Sequence, residues 1–335
     1  MACRSLAKHR EKELIVTTTP QFMITNRNRQ GAGLGITHDV LKYFEADPDA
    51  DPAVFRSWSE LTADKFKLRL QQLAMKFPLI AEEDNEDQKH VSLFVHGYNN
   101  DWKAAAGRYA EIKRDVYDAS DLGLLILFTW PSDGSVAGYL PDREDARDSA
   151  QDVATLLTAL NTHLLDLQQT AVATRDPKKF CRAKVSVIAH SMGGFVMQKG
   201  LAIAAKQLNS PQLMTLVHQL VLVAADVDND LFQKDKPLDS DGSLMANLCY
   251  RIGCLFTGLD EVLGASAGLK HFGTRRLGRS GLADKSNVWD NVFDQDVSSL
   301  IDLSQKTHSA VFDSPSTREL LEKILRGVDR GHLPT

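Results

Sequence analysis

The stretch VSVIAHSMGGFV, residues 185–196, decides how this chain folds. Its first five residues are mainly apolar and β-branched, which indicates a buried strand, and the run after the glycines is compatible with a helix. A serine on a tight turn between strand and helix has its hydroxyl held at the carboxyl edge of the sheet. Serine also caps helices without any chemical role. The strand before Ser191 and the paired glycines after it favour a nucleophile.

The rest of the chain alternates between strand-like and helix-like segments. A long segment with apolar residues at helical spacing covers residues 142–168. Short, nearly continuous apolar runs separated by helices predict an α/β fold, with a mostly parallel central sheet flanked by helices on both faces. The other strand candidates are VSLFVHG (91–97), LGLLILFTWP (122–131), VHQLVLVAADVD (217–228), CYRIGCLFTG (249–258) and SNVWDNVFD (286–294).

The first ninety residues have a different character, with acidic, turn-rich connectors. LIVTTTPQFMITN (14–26) predicts edge strands of the same sheet, because a proline suits an edge or a break. We therefore expect residues 1–87 to be an N-terminal extension that adds edge strands. Residues 88–335 would then be the catalytic core of a single domain.

A serine nucleophile needs a base and an oriented acid, which in this topology follow it along the chain. His308 is the predicted base, because it lies after the last strand candidate and before the final helical segment. His271 is the alternative base. Asp260 and Asp226 both follow predicted strands, where catalytic groups gather in such sheets. Strand order favours Asp260 as the acid, with Asp226 as the alternative.

Two backbone N–H groups are expected to bind the oxyanion of the tetrahedral intermediate. One belongs to Met192, directly after the nucleophile, and the other to Tyr98 in HGYNN (96–100). Aromatic side chains near strand ends or beside the serine are candidates for the walls of an acyl pocket, although such residues are as often plain core. They are Tyr98, Trp102, Trp130, Tyr139 and Phe195. The glycine-rich segment 257–281 is either a flap over the site or a solvated connector.

Together these motifs resemble the α/β-hydrolase superfamily, and within it a little-characterised bacterial group catalogued as a domain of unknown function. The matching pieces are MITNR (23–27), LFVHGYNN (93–100), FTWPSDG with Tyr139 and Asp142 after it (128–142), VIAHSMGG (187–194), LVAADVDNDLF (222–232), DEVLGAS with the later RRLG (260–278) and IDLSQKTHS (301–309). The resemblance implies a serine hydrolase without cofactors, and it implies no substrate. Ala189 replaces the first glycine of G-x-S-x-G, a replacement that bacterial lipases of this superfamily also show.

Composition excludes several other classes of function. The 335 residues carry a net charge of −5 with no basic stripe, so neither nucleic acid nor an anionic membrane is favoured as a partner. No apolar run is long enough to span a bilayer, and the chain does not open with a secretory signal. Four cysteines without a C-x-x-C pair suggest reduced thiols and a cytoplasmic location.

Two further patterns do not match the ligand-binding loops that they resemble, and no metal site is expected. GAGLG (31–35) has the wrong spacing for a dinucleotide loop, and the polar NRNRQ before it is not expected to be a strand. DVDND (226–230) lacks the glycine and glutamate of a calcium loop.

The prediction is a carboxylic-ester hydrolase acting on a small-molecule ester. A hydrolase-like binding scaffold is the alternative, as is thioesterase, amidase or acyltransferase chemistry with the same residues.

Overall fold

In the computed structural model, residues 19–80, 84, 86–132, 139–208, 215–270, 273–302 and 307–334 are described. They form a nine-stranded sheet in the order β3-β2-β1-β5-β4-β6-β7-β8-β9. The pairs from β1–β5 through β8–β9 are parallel, and β1–β2 and β2–β3 are antiparallel. The strands are β1 (Gln21–Gln30), β2 (Gly33–Ala46), β3 (Ser59–Leu61), β4 (His90–Val95), β5 (Gly123–Thr129), β6 (Lys184–His190), β7 (Val217–Val223), β8 (Cys249–Phe256) and β9 (Val292–Asp296). The predicted fold, with a mostly parallel sheet, is confirmed.

Helices cover both faces of the sheet. They are α1 (Ala63–Ala74), α2 (Trp102–Ile112), α3 (Tyr139–Thr174), α4 (Met192–Leu208), α5 (Asp241–Leu248), α6 (Glu261–Ala265), α7 (Leu277–Ser280), α8 (Ala310–Asp313) and α9 (Pro315–Arg326). Leu124, Ile126 and Phe128 of β5 join one core cluster with residues of α3 and α4. Leu125 and Leu127 point the other way, into a cluster with α2 and α9. Because each strand is buried on both faces, its sequence is nearly continuously apolar.

The N-terminal strands extend this sheet, but β1 is not at its edge. β1 pairs with β2 on one side and with β5 on the other, so β3 is the outer strand. Pro20 lies immediately before β1 and therefore removes no hydrogen bond from the ladder. The expectation of an edge position for residues 19–26 is thus wrong, and residues 14–18 lie outside the described residues.

The carboxyl ends of β4 to β8 meet along one edge of the sheet, because these strands are parallel. This edge holds His96 after β4, Trp130 after β5 and Ser191 after β6. Asp226 and Asp260 follow β7 and β8 at the same edge. The residues singled out in the sequence therefore converge on one region.

Among the described residues, no helix is long and apolar enough to cross a membrane. Cys181, Cys249 and Cys254 are free thiols, and Cys3 lies outside the described residues. Burial raises the pKa of the Cys249 and Cys254 thiols well above the ordinary range. These two cysteines are therefore inert core residues.

Candidate active site

Ser191 occupies a strained turn between β6 and α4. Its φ is 53°, in the left-handed region that non-glycine residues seldom adopt. Two main-chain hydrogen bonds hold this geometry: Ser191 N–H donates to the Val223 carbonyl, and Asp226 N–H donates to the Ser191 carbonyl, each at 3.0 Å. The turn is fixed by the end of β7, so the serine side chain is presented at the sheet edge.

Glycines beside the serine allow close approach of neighbouring backbone. A Cβ at Gly97 would lie 2.6 Å from the Ser191 Cβ, so only glycine lets the loop after β4 reach the serine. A Cβ at Gly193 would lie 2.5 Å from the Val95 carbonyl oxygen, which allows α4 to start directly over β4. The small residues flanking the serine are thus required by packing around the turn.

His308 connects the serine to a buried carboxylate. The Ser191 hydroxyl lies 2.9 Å from His308 Nε2, and His308 Nδ1 lies 2.7 Å from Asp260 Oδ2. Asp260 is fully buried and also caps α6, since its Oδ1 accepts from Leu263 N–H at 2.9 Å. The carboxylate can only accept, so Nδ1 carries the hydrogen and Nε2 is free to accept the serine proton.

Asp226, the alternative acid, has other partners. Its Oδ1 accepts from Arg276 Nε at 2.7 Å and from the Ser266 hydroxyl at 3.2 Å, and its Oδ2 accepts from Tyr139 OH at 2.7 Å. The Arg276 side chain is fully buried in this ion pair. The structure therefore brings Asp260, not Asp226, to His308. His271, the alternative base, lies outside the described residues.

The loop after β4 lies against the serine and is tightly bound. Asn100 Nδ2 donates to the carbonyls of Gly97 and Tyr98, and the Asn100 carbonyl accepts from Arg27 Nη2 at 2.8 Å. Met192 N–H starts α4, and none of the described residues accepts a hydrogen bond from it. Tyr98 and Met192 thus flank Ser191 from two sides.

A buried polar network behind this loop was missed in the sequence. Arg27 is fully buried and donates to Thr129 Oγ1 and to the carbonyls of Gly35 and Ser132. Burial lowers the pKa of Arg27 to about 10. The arginine of MITNR gave only a weak signal, because its neighbours Asn26 and Asn28 are polar and do not mark the position as buried. A buried guanidinium needs such a set of acceptors.

His96 completes the network as a neutral imidazole. Its Nδ1 donates to the Gly97 carbonyl at 2.8 Å, while its Nε2 accepts from Trp130 N–H at 3.2 Å. Burial, and then the nearby Arg27 charge, lower the pKa of His96 to about 3. The loop beside the serine is therefore held by the neutral His96 ring and by the buried Arg27 guanidinium.

The five aromatic candidates for the acyl pocket have different surroundings. Trp130 is fully buried, stacks on His96 and donates its indole N–H to the His96 carbonyl. Trp102 packs edge-on against Phe55 in the core cluster that contains α2 and α9. Both tryptophans pack in the core, where Tyr139 and Phe195 are buried as well, so the role of these aromatics as pocket walls stays a prediction.

Two of the remaining three aromatics contact each other, and the third follows the serine on α4. Tyr98 and Tyr139 form an edge-to-face pair with ring centroids 5.4 Å apart. Phe195 lies one turn after Ser191 on α4, with the Arg143 guanidinium 3.9 Å from its ring centroid. Among the five, these three remain proposed as substrate contacts.

Segment 257–281 is anchored to the sheet edge at its end. Leu277 N–H donates to the Val227 carbonyl and Gly278 N–H to the Ala225 carbonyl. Arg276 is buried, so a solvated connector is the wrong interpretation for this arginine. Residues 271 and 272 lie outside the described residues, and a flap over the site stays a hypothesis.

A second histidine–serine pair lies at the opposite end of β6. His90 Nδ1 is 2.8 Å from the Ser186 hydroxyl. Within the described chain, His90 Nε2 has no hydrogen-bond partner, so no carboxylate orients this imidazole. No group of three or more His, Cys, Asp or Glu residues suited to a metal occurs there either.

Comparison with known proteins places these features in a family. A family described as an alpha/beta hydrolase of unknown function (DUF900) matches residues 71–316. An uncharacterized protein of Nostoc sp. (strain PCC 7120) is 24% identical over an alignment of 221 positions that covers 53% of this chain and 49% of that protein. The chain thus spans about half the length of the curated relative it matches.

Solved structures with a similar fold include esterases and lipases. An esterase of Pyrobaculum calidifontis has a TM-score of 0.34 at 14% identity, covering 81% of this chain and 91% of its own. Aspergillus fumigatus lipase B has a TM-score of 0.40 at 12% identity, and the match covers 90% of this chain and 63% of the lipase chain. Similarity at this level carries no argument about activity.

Proposed function

This chain belongs to the α/β-hydrolase family of unknown function (DUF900), and we propose that it is a serine hydrolase that cleaves carboxylic esters through an acyl-enzyme. The observation that carries the proposal is the continuous hydrogen-bond chain from Asp260 through His308 to Ser191, with links of 2.7 and 2.9 Å. This is the arrangement that activates a serine hydroxyl.

In the first half of the reaction, Ser191 Oγ attacks the ester carbonyl while its proton moves to His308 Nε2. The Asp260 carboxylate stabilises the resulting imidazolium through Nδ1–H. The N–H groups of Met192 and Tyr98 are proposed to bind the oxyanion, helped by the positive end of α4. When the tetrahedral intermediate collapses, the C–O bond breaks and the alcohol leaves with the proton from Nε2.

In the second half, a water molecule attacks the acyl-enzyme and gives its proton to His308 Nε2. Collapse of this second intermediate breaks the bond to Ser191, returns the proton to Oγ and releases the acid. No redox step occurs, and His308 Nε2 accepts and returns the proton in both halves of the reaction. Tyr98, Tyr139 and Phe195 are the proposed contacts of the acyl or alcohol part.

Burst kinetics with p-nitrophenyl esters of increasing chain length test this function. We expect a burst of about one p-nitrophenol per wild-type chain, followed by slower turnover, and no burst with Ser191→Ala. A matched thioester and anilide test the leaving group, and the anilide should react most slowly. Faster cleavage of the anilide would indicate an amidase. The absence of turnover in folded wild type, for every ester, would favour a binding scaffold.

A further inference from the structure

His190, the residue before the candidate nucleophile, contacts the base instead of the serine hydroxyl. Its Nε2 lies 3.1 Å from the backbone carbonyl oxygen of His308, and the two ring centroids are 4.9 Å apart. A carbonyl only accepts hydrogen bonds, so Nε2 of His190 carries the hydrogen. The end of β6 is thereby bonded to the main chain of the residue that faces Ser191.

The surroundings of His190 keep it neutral. Its side chain is buried, and the Phe312 ring packs edge-on against it at 5.3 Å. Burial first, and then the nearby ionisable groups of His308, Arg108 and His96, lower the pKa of His190 well below its ordinary value. A neutral donor here can hold the His308 main chain without opposing the positive charge that forms on His308 during proton transfer.

Among the described residues, two further contacts of the His308 segment lead to the end of β8. Thr307 Oγ1 donates to the Leu259 carbonyl at 3.1 Å, and the His308 ring is bonded to Asp260. Those contacts orient the imidazole but do not connect its main chain to the strand that carries the serine. The bond from His190 makes that connection.

We propose that His190 is a positioning residue that fixes the main chain of His308 relative to Ser191. This inference rests on the proposed function, since it assigns His308 the role of base. Proton transfer is sensitive to such placement, because a shift of about 1 Å at a reacting group can cost about 100-fold in rate. His190 itself touches neither the hydroxyl proton nor the substrate carbonyl.

Three substitutions at His190 separate the effect of its hydrogen bond to the His308 carbonyl from the effect of its ring packing. His190→Phe keeps an aromatic ring and loses the donor. His190→Gln places an amide N–H near the position of Nε2, whereas His190→Asn is too short to reach it. We expect kcat to fall about 10- to 100-fold in the Phe and Asn variants, with KM within about twofold of wild type, and Gln to recover most of the loss.

Two readouts distinguish positioning from a general loss of structure. Rates are divided by the number of sites titrated with a fluorophosphonate, and thermal stability is measured for each variant. The NMR resonance of the His308 Nδ1–H, bonded to Asp260, should be sharp in wild type and Gln and broadened in Phe and Asn. Equal kcat in wild type and Phe, or equal loss in Gln and Phe, would overturn the proposal.

The same design separates this inference from the proposed function. Wild type that neither hydrolyses esters nor reacts with the fluorophosphonate defeats the proposed function. The resonance of the His308 Nδ1–H is measured without substrate, so it still tests whether His190 fixes the position of His308. If that resonance is identical in wild type, Phe and Asn, His190 does not position His308.

Discussion

At the scale of single residues, two buried aspartates at neighbouring strand ends differ in their partners. Asp260 faces His308 and caps α6, so its charge is available to orient the imidazole. Asp226 neutralises the buried Arg276 and accepts from Tyr139. We therefore propose a catalytic role for the first carboxylate and a structural role for the second.

Replacing each aspartate by asparagine should separate these roles. Asp260→Asn should lower kcat about a thousandfold or more, because an amide no longer holds the Nδ1–H tautomer. Asp226→Asn leaves the buried Arg276 with Asp228 as its remaining carboxylate partner and should lower the free energy of unfolding by about 1–3 kcal/mol. Steady-state kinetics and urea unfolding measure the two effects. Loss of kcat per titrated site that is larger for Asp226→Asn would reverse the assignment.

The sequence pointed to Asp226 and Asp260 because each follows a buried strand. The end of a buried strand can be recognised from the hydrophobicity pattern alone. Strand order favours Asp260, but the sequence leaves Asp226 open, since the contact that engages Asp226 comes from Arg276, 50 residues further along the chain. A role for the aromatic side chains as pocket walls stays open in the sequence for a related reason. A strand end is visible in sequence, but the side of the sheet that a ring enters depends on the loop conformation.

At the scale of elements, the loop after β4 touches the start of α4 without any side chain between them. Gly97→Ala would place a methyl group 2.6 Å from the Ser191 Cβ, closer than two carbons can approach. We expect kcat to fall at least tenfold, because the loop that carries Tyr98 must move. Circular dichroism should show unchanged secondary structure. Normal kcat in this variant would mean that the loop does not take part in the reaction.

The buried Arg27 of β1 binds the same loop from behind. Arg27→Met leaves several buried acceptors unpaired and should lower the free energy of unfolding by about 3–5 kcal/mol. Arg29→Met is the matched control on the same strand, since its ion pair with Glu60 is half-exposed and should contribute about 1 kcal/mol or less. Urea unfolding measures the loss of free energy of unfolding in each of the two variants. Equal destabilisation would contradict the role of the buried network.

Strand order is the part of the fold that the pattern of elements could not supply. The proline in residues 14–26 predicts an edge strand, yet β1 pairs on both sides. Local sequence specifies a strand and its burial, whereas its neighbours depend on pairings about 100 residues apart, such as Phe22 with Ile126. The run of alternating elements after residue 88 was more informative, because parallel strands joined by helices have few alternative arrangements.

At the scale of the whole molecule, buried neutral histidines couple stability to pH. Burial lowers the pKa of His90 and of His96 to about 3. In the unfolded chain, both take up a proton near the ordinary value of about 6.5. The folded state is thus destabilised as pH falls from about 6.5 towards 3, by about 1.4 kcal/mol per pH unit for each such histidine.

His90→Asn tests this coupling, because an amide at this position replaces the bond from Nδ1 to Ser186 and removes the titrating group. Between pH 6 and 4.5, the free energy of unfolding of wild type should fall more steeply than that of the variant, by about 1.4 kcal/mol per pH unit. Urea unfolding across this range measures the slopes. Identical slopes would show that His90 is not held neutral in the folded state.

The most direct test of the central claim is labelling with a fluorophosphonate, followed by intact mass and peptide mapping. Wild type should take up one probe per chain, on the peptide that contains Ser191, and Ser191→Ala should take up none. Ser186→Ala removes the serine of the other histidine–serine pair and should label like wild type. Labelling of Ser191→Ala at the wild-type level, or no labelling of folded wild type, would contradict the assignment of Ser191 as the nucleophile.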